Sequence, residues 1–263
     1  MDYFTRAEKG SYEDLTWNIP EQKQGTVNII GGNSQNFRTE VRTAEFITAN
    51  YPIKEVRLVL PNALKNNLPD LPNLVFLPST DSGSFSESQE LNDVFNGADF
   101  DLLLGDLSKN NVTGTAVAGA CRRSEKMTLL TRDTVDVITN NSPERLLMNE
   151  NLIFFASMAQ LQKLLRAVYY PKMLLLTQSL VQVSEVLHKF TLSYPVKLVT
   201  LHDGQILLAE NGIIKVVSIE ESGYSPMMIW SGELAAKMTV LNLFNPNNFL
   251  PASISAIFQL KSA

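Results

Sequence analysis

The order of patterns along the chain predicts an α/β protein with three layers, helices on both faces of a mainly parallel sheet. Short apolar runs alternate with longer segments of helical periodicity up to about residue 190. Such alternation is typical of parallel strands joined by covering helices. Beyond Pro195 three apolar runs follow one another with only two-residue gaps, which predicts an antiparallel meander near the C-terminus.

Each predicted strand is a short apolar run ended by a turn-forming residue. "TVNII" ends at Gly31-Gly32, and "VRLVL" ends at Pro61. In the meander, Asp203-Gly204 and Asn211-Gly212 favour tight hairpin turns because both dipeptides tolerate positive φ. The predicted strands before the meander are residues 26–30, 56–60, 74–77, 101–105, 127–131 and 152–155.

The helices are predicted from apolar spacing and from residues that cap helix ends. In "NFRTEVRTAEFITANY" the spacing places Phe37, Val41, Ala44 and Thr48 on one face, and Ser86 is the expected cap of the next helix. Further helices are predicted at 113–123, around 161–168, and at 172–190, 232–243 and 252–261.

Length and composition indicate one globular domain. We expect residues 1–24 to form an N-terminal extension and residues 25–263 to form a single domain, since this length can bury a sizeable core. The chain is 44% hydrophobic and 19% charged, which is ordinary for a soluble protein. Its net charge of −5 argues against nucleic acid and anionic membranes as partners. The N-terminus lacks the apolar core of a signal peptide, so we expect a cytoplasmic protein.

Few residues of the chain are suited to binding transition metals. Cys121 is the only cysteine, and His188 and His202 are the only histidines, so no metal site is predicted. We interpret His202 as a surface residue of a hairpin turn and His188 as a packed helix residue. Asp133 and Asp136 follow a strand end and could bind Mg²⁺ or orient a hydroxyl. A solvated loop is an equally good interpretation of that pair.

Three turns are expected at the carboxyl edge of the sheet, where ligands of such folds bind. They follow the first strand, follow the fourth strand and precede Ser231. After the first strand, the amides of Gly31, Gly32, Asn33 and Ser34 could meet a phosphate, or they could form only a tight turn. After the fourth strand, Asp106 follows Gly105 and could face a ligand or cap the next helix.

The best single candidate is Ser231-Gly232-Glu233 at a predicted helix start. A helix N-terminus offers free amide donors and a favourable dipole to an anion. A carboxylate at that point could exchange a proton with a substrate hydroxyl. The alternative is a helix start with Ser231 as its cap and Glu233 in the first turn. Met227 and Met228 nearby are interpreted as packing residues that could also wall a flat ring.

Taken together, five segments resemble the ribokinase-like superfamily, and most closely its ADP/ATP-dependent NAD(P)H-hydrate dehydratases. "NIIGGNS" resembles the first strand and Gly-Gly-Ser turn of that family. The other four are "ADFDLLLGDL", "TLLTRDTVDVI", "VKLVTLHDGQILLAENG" and "SGELAAKMTVL". The resemblance covers about residues 25–260 and implies a ribokinase-like fold, ADP or ATP with Mg²⁺, and a homo-oligomer. It places Glu233 at the acid/base position, Ser231 and Gly232 in the anion site, and Gly105, Asp106 and Asp133 at the substrate.

The chain departs from the family pattern at ligand-facing positions. Ile229 and Trp230 stand where the family has glycines that approach phosphate, and Glu233 stands where it has aspartate. The extra methylene can displace the carboxylate by about 1 Å, enough to cost on the order of 100-fold in rate. We therefore predict a diverged, inactive homologue that binds a nucleotide or a partner. The alternatives are an active dehydratase and a small-molecule kinase, both using Glu233.

Overall fold

The protein, described here as a computed structural model, is a layered α/β structure built on one mixed sheet. The structure describes residues 3–8, 10, 19–66, 68, 72–218 and 231–259. Within them the sheet has ten strands. The strands are β1 (Phe4–Arg6), β2 (Gln24–Gly31), β3 (Ile53–Pro61), β4 (Leu74–Leu77), β5 (Phe100–Gly105), β6 (Met127–Thr131), β7 (Leu152–Phe155), β8 (Lys197–His202), β9 (Gln205–Glu210) and β10 (Ile213–Ser218).

Helices cover both faces of this sheet. The helices in the described ranges are α1 (Arg38–Asn50), α2 (Gln89–Asn96), α3 (Asn111–Arg123), α4 (Asp133–Thr139), α5 (Pro143–Leu146), α6 (Met158–Ala167), α7 (Leu180–Ser193), α8 (Glu233–Phe244) and α9 (Phe249–Phe258). One apolar core joins the sheet to α2–α7, and a second joins it to α1, α8 and α9. The predicted three-layer α/β architecture is confirmed.

The strand order is β1-β10-β9-β8-β7-β6-β5-β2-β3-β4. Every adjacent pair from β4 across the sheet to β8 is parallel. Strands β8, β9 and β10 form the antiparallel meander that the two hairpin dipeptides predict. From β2 the chain runs outward through β3 and β4, then returns to place β5 on the other side of β2. The direction of winding therefore reverses between β2 and β5. Such a switch point is where open α/β sheets bind ligands.

The N-terminal residues are not separate from the sheet. β1 pairs in parallel with β10, with Thr5 opposite Lys215. Tyr3 stacks on His188 of α7 at a centroid distance of 3.9 Å. His188 is therefore a packed helix residue, as the sequence predicts. The proposed division at residue 25 stays a prediction, but β1 makes part of the preceding segment the edge of the sheet.

Four local predictions were wrong. The predicted face of α1 is wrong in part: Phe37, Val41 and Ala44 are half-buried and pack against the core, but Thr48 is exposed. The fully buried residues of α1 are Glu40, Thr43 and Ile47. The cap of α2 is Ser88, whose hydroxyl accepts from the amide of Leu91, rather than Ser86. Helix α7 begins at Leu180, well after residue 172, because Ser179 and Gln182 form a capping box there.

The fourth wrong prediction concerns His202. It ends β8 beside the predicted hairpin turn, but its side chain is buried because it packs below the loop before α7.

Among the described helices, none combines the length and the apolar character that crossing a membrane requires.

Candidate functional site

The turn after β2 is held by backbone hydrogen bonds, one within the turn and two to neighbouring segments of the chain. The amide of Gly32 donates to Gly105 O at 2.8 Å, that of Asn33 to Asn36 O at 2.8 Å, and that of Ser34 to Gly83 O at 3.0 Å. Three of the four amides predicted to bind phosphate are thus already satisfied within the chain. The anion-binding role of this turn stays a prediction, and a phosphate there would have to displace these bonds.

Glu40 lies at the switch point between β2 and β5. Its side chain is fully buried, and a Cβ built on Gly31 would lie 2.6 Å from both Glu40 Oε1 and Gly105 O. Neither carboxyl oxygen of Glu40 has a hydrogen-bond partner among the described residues. The carboxyl group therefore fills the space at the carboxyl ends of the two strands that flank the reversal.

The turn after β5 is fastened to the start of α4. Asp133 accepts hydrogen bonds from the amides of Asp106 at 2.7 Å and Leu107 at 3.0 Å. Gly105 has a φ of +102°, and a Cβ at this position would lie 2.1 Å from Asp133 Oδ1. Only glycine fits there, because any side chain would displace the carboxylate that holds the turn.

Arg132, at the start of α4, forms a salt bridge with Asp106 in the turn after β5. Its Nη2 lies 2.8 Å from Asp106 Oδ1, and both residues are at positive φ, +54° for Arg132 and +51° for Asp106. Non-glycine residues in such conformations carry strain and cluster at functional sites. Nη1 of Arg132 is buried and has no partner among the described residues. Gln160 holds the Arg132 carbonyl and the Asp136 carboxylate through its side-chain amide.

The electrostatics of this cluster favour a neutral Glu40. Burial raises the pKa of Glu40 from its ordinary value of 4.5 to about 8, and the negative charge of Asp106 acts in the same direction. Arg132 opposes that rise but does not cancel it. Burial also raises the pKa of Asp133, against the two backbone hydrogen bonds that stabilise its ionised form. At neutral pH Glu40 is therefore a protonated acid beside the Asp106–Arg132 salt bridge.

Helix α8 begins beside this cluster, at the same edge of the sheet. Its cap is Gly232 in a left-handed conformation, not Ser231, although Ser231 Oγ accepts from the amide of Glu233 at 3.4 Å. A Cβ at Gly232 would lie 3.1 Å from Thr43 Oγ1 and 3.2 Å from Leu104 Cδ2. This close approach sets the helix start against α1 and β5. Met227, Met228, Ile229 and Trp230 lie outside the described residues.

The carboxylate of Glu233 points along its own helix. It lies 3.2 Å from the ammonium group of Lys237 one turn later, and the Lys237 side chain is only 7% exposed. Lys237 also lies over the ring of Phe46 on α1, 5.8 Å from its centroid. Negative charge on Glu233 contributes, after burial, to raising the pKa of Tyr51 to about 12. Glu233 thus interacts with the α1–α8 interface.

An open cavity lies farther along the same edge, over β7 and β8. Its volume is about 730 Å³, within the range of about 300–1,000 Å³ for small-molecule sites. The starts of α6 and α7 and the β8–β9 turn form its walls. The lining residues are Ser157, Met158, Ala159, Leu176, Thr177, Gln178, Ser179, Leu201, His202, Asp203 and Gly204.

No protein-family profile and no curated protein sequence matches the chain. Solved structures match it in fold. The hypothetical protein SMU.573 from Streptococcus mutans is 11% identical with a TM-score of 0.66, over 98% of this chain and 89% of that one. Bacillus subtilis YxkO, a UPF0031 family member described as a candidate kinase, is 10% identical with a TM-score of 0.63, over 95% and 86%.

A third match is Bacillus subtilis pyridoxal kinase, solved as an ADP complex. It is 11% identical with a TM-score of 0.50, over 90% of this chain and 89% of that one. The chain has the ribokinase-like fold. Identities this low show the fold alone. The ribokinase-like fold is what the order of the five sequence segments predicts.

The two aspartates considered for Mg²⁺, Asp133 and Asp136, are both engaged by other groups of the protein. In the described part of the chain there is no group of three or more acidic, histidine or cysteine side chains suited to a metal ion. Asp133 is engaged by two backbone amides, and Asp136 is 2.6 Å from Lys163.

The structure brings most of the predicted site residues to one edge. Gly31, Gly105, Asp106 and Asp133 lie together, and Asn33 joins them by donating to the carbonyl of Asp106. Sequence reasoning missed Glu40, Arg132 and His202. Glu40, Thr43 and Ile47 do follow helical spacing, but a charged residue on the buried face contradicts the apolar pattern used to find that face.

Proposed function

We propose that the chain is a diverged relative of the ADP/ATP-dependent NAD(P)H-hydrate dehydratases that binds an adenine nucleotide and does not turn over their substrate. The resemblance of its sequence segments and the ribokinase-like fold supply the family context. One observation carries the proposal: the Glu40 carboxyl occupies the switch point between β2 and β5. Substrate binding there would require this buried side chain to leave.

The disposition of Glu233 supports the same proposal. A general acid/base needs a carboxylate within hydrogen-bond reach of the substrate. Here the Glu233 carboxylate is paired with the nearly buried Lys237 and faces the α1–α8 interface. Moving it to a substrate would leave the ammonium group of Lys237 buried without a partner, which is costly. The pair therefore has a structural role in this proposal.

Nucleotide binding is assigned to the cavity over β7 and β8. Met158, Leu176 and Leu201 offer apolar contacts for a flat ring, and the hydroxyl of Thr177 and the carboxylate of Asp203 offer polar contacts for a sugar. The start of α8 lies at the same edge of the sheet and presents its first-turn amides to an anion. The proposal includes the homo-oligomer that the resemblance implies and the cytoplasmic setting that the N-terminal sequence predicts.

Nucleotide binding is tested by thermal unfolding with 5 mM ADP, ATP or AMP, each with and without Mg²⁺. A ligand at about 100 times its dissociation constant adds about 2.7 kcal/mol to the free energy of unfolding. For a domain of this size that corresponds to a rise in Tm of about 5 °C or more. A chain whose Tm is unchanged by all three nucleotides does not bind them, and the proposal would fail.

Turnover is tested separately with hydrated NADH plus ADP or ATP. We expect no dehydration above the uncatalysed rate for the wild type. The kinase alternative, which the kinase structures among the neighbours favour, predicts nucleotide hydrolysis or phosphoryl transfer that Glu233→Gln abolishes. Dehydration that is lost in Glu233→Gln would instead establish the active-dehydratase alternative and refute the inactive one.

A further inference from the structure

His202 is one of the two histidines in the chain and is the only one that lines the cavity over β7 and β8. It ends β8, and its side chain is 7% exposed. Its Nε2 lies 2.8 Å from the carbonyl oxygen of Gln178. A carbonyl oxygen can only accept a hydrogen bond, so Nε2 must carry the hydrogen. The neutral ring therefore has its lone pair on Nδ1.

The carbonyl that fixes this tautomer is itself held in place. The Gln178 side chain accepts from the amide of Leu175 at 2.8 Å and donates to the carbonyl of Met173 at 3.3 Å. Gln162 of α6 donates to the carbonyl of Leu174 at 2.6 Å. The loop before α7 is thus braced from within and from α6, and it presents the Gln178 carbonyl to His202 from a fixed position.

The other ring nitrogen is available to a ligand. Nδ1 of His202 makes no hydrogen bond to any residue that the structure describes, although Nε2 is fully engaged. The ring forms part of the wall of a cavity that the apolar residues Leu201 and Met158 also line. An acceptor held in a fixed tautomer beside apolar walls selects a ligand that presents an N–H donor at the edge of a flat ring.

We infer that His202 is a specificity-determining residue of this cavity, whose Nδ1 accepts a hydrogen bond from the amino group of an amino-substituted heterocycle. The inference rests on the proposed nucleotide site and names adenine's exocyclic amino group as the donor. A base that lacks this group leaves Nδ1 buried against the ligand without a partner. Unpaired buried acceptors are what make sites of this kind selective.

The test compares ADP with purine riboside 5′-diphosphate, which differs from ADP only by loss of the amino group. Calorimetric titration of the wild type at pH 7.5 should show ADP binding about tenfold or more tightly. His202→Phe should reduce that preference to less than about threefold. His188→Phe should keep it, because His188 stacks on Tyr3 and does not line the cavity. Equal wild-type affinity for the two ligands would overturn this inference but not the proposed binding of nucleotides.

A second measurement needs no variant at position 202. Two-bond ¹H–¹⁵N correlation spectra distinguish protonated from lone-pair ring nitrogens, and His188→Phe assigns the two histidines. We expect His202 to be protonated on Nε2, with an Nδ1 signal that shifts on addition of ADP and not of the purine riboside analogue. A proton on Nδ1 would refute the inference. Failure of both ligands to bind would refute the proposed function and this inference with it.

Discussion

Glu40 is a carboxylic acid buried beneath the carboxyl edge of the sheet, and its side chain has no hydrogen-bond partner in the described structure. An ionised carboxylate in such a place would be strongly destabilised, so the group retains its proton. Among the surrounding charges, Asp106 and Asp133 raise the pKa of Glu40 and Arg132 lowers it. Ionisation of Glu40 would add negative charge next to the turns that Asp133 and Arg132 hold in strained conformations.

This residue gives stability a defined dependence on pH. The pKa of Glu40 is about 8 in the folded chain and 4.5 ordinarily, so between these values the folded state holds a proton that the unfolded state has lost. The contribution of Glu40 is full below pH 4.5 and is lost as pH rises to about 8. Relative to Glu40→Gln, the wild type should lose about 1.4 kcal/mol of unfolding free energy per pH unit over this window, measured by urea unfolding.

Glu55→Gln provides the control for this slope. A hydrogen bond from Arg57 lowers the pKa of Glu55, so its contribution is present above pH 4.5 and is lost as pH falls. The difference between wild type and Glu55→Gln should therefore change in the opposite sense and at lower pH. A difference between wild type and Glu40→Gln that stays constant from pH 5 to pH 8 would show that Glu40 is ionised in the folded chain.

Helix α8 is the element that joins the candidate site to the core. Nine consecutive residues, Leu234–Asn242, are buried, because the helix packs on the sheet at β5 and β6 and is flanked by α1 and α9. Lys237 is among them, and the Glu233 carboxylate is its charged partner. A buried ammonium group that loses its partner is more costly than the removal of both charges.

We therefore expect Glu233→Gln to destabilise the chain by about 1–3 kcal/mol, since it strands the charge of Lys237. Lys237→Met should cost less, because methionine fills similar space against Phe46 without a charge. The double variant should recover most of the loss in urea unfolding. Glu185→Gln in the exposed Glu185–Lys189 pair is the matched control and should leave the midpoint unchanged. Equal losses in Glu233→Gln and Glu185→Gln would contradict the structural role of the α8 pair.

At the scale of elements, local sequence patterns predict most strands and both hairpin turns but miss helix α4. Strands β4, β6 and β7 have the predicted bounds, because each is an apolar run stopped by a turn or loop residue. Both hairpin dipeptides have positive φ at each position, as their composition predicts. Helix α4 was missed because Asp133 and Asp136 suggest a loop, whereas in the structure their carboxylates bind neighbouring backbone and side chains.

At the scale of the whole molecule, the site is defined by strand order, which no local pattern contains. The rule that ligands bind at carboxyl ends correctly brings Gly31, Gly105 and Asp133 to one edge. It could not indicate that β5 returns beside β2, nor that Glu40 would fill the resulting crevice. Burial of a charged side chain depends on tertiary neighbours, so only the structure reveals it. The same is true of His202, which a turn dipeptide suggests is exposed.

β1 is the outermost strand on one side of the sheet and covers the edge of β10. The amide of Ala7 donates to Val216 O at 2.8 Å, and the amide of Ile214 donates to Tyr3 O at 2.7 Å. Without β1, the outer backbone groups of β10 would be unpaired, and exposed strand edges promote association. Apolar contacts would also be lost, since Ala7 is buried in the core that contains α8 and α9.

Deletion of residues 1–8 should therefore lower the Tm by several degrees and cause association that increases with protein concentration. A loss of about 1–2 kcal/mol corresponds to about 2–8 °C for a domain of this size. Differential scanning calorimetry and light scattering measure the two effects. Arg6→Ala, whose side chain is exposed, keeps the strand and should behave as the wild type. A truncated chain whose Tm and light scattering match those of the wild type would show that β1 is dispensable and that residues 1–24 are a true extension.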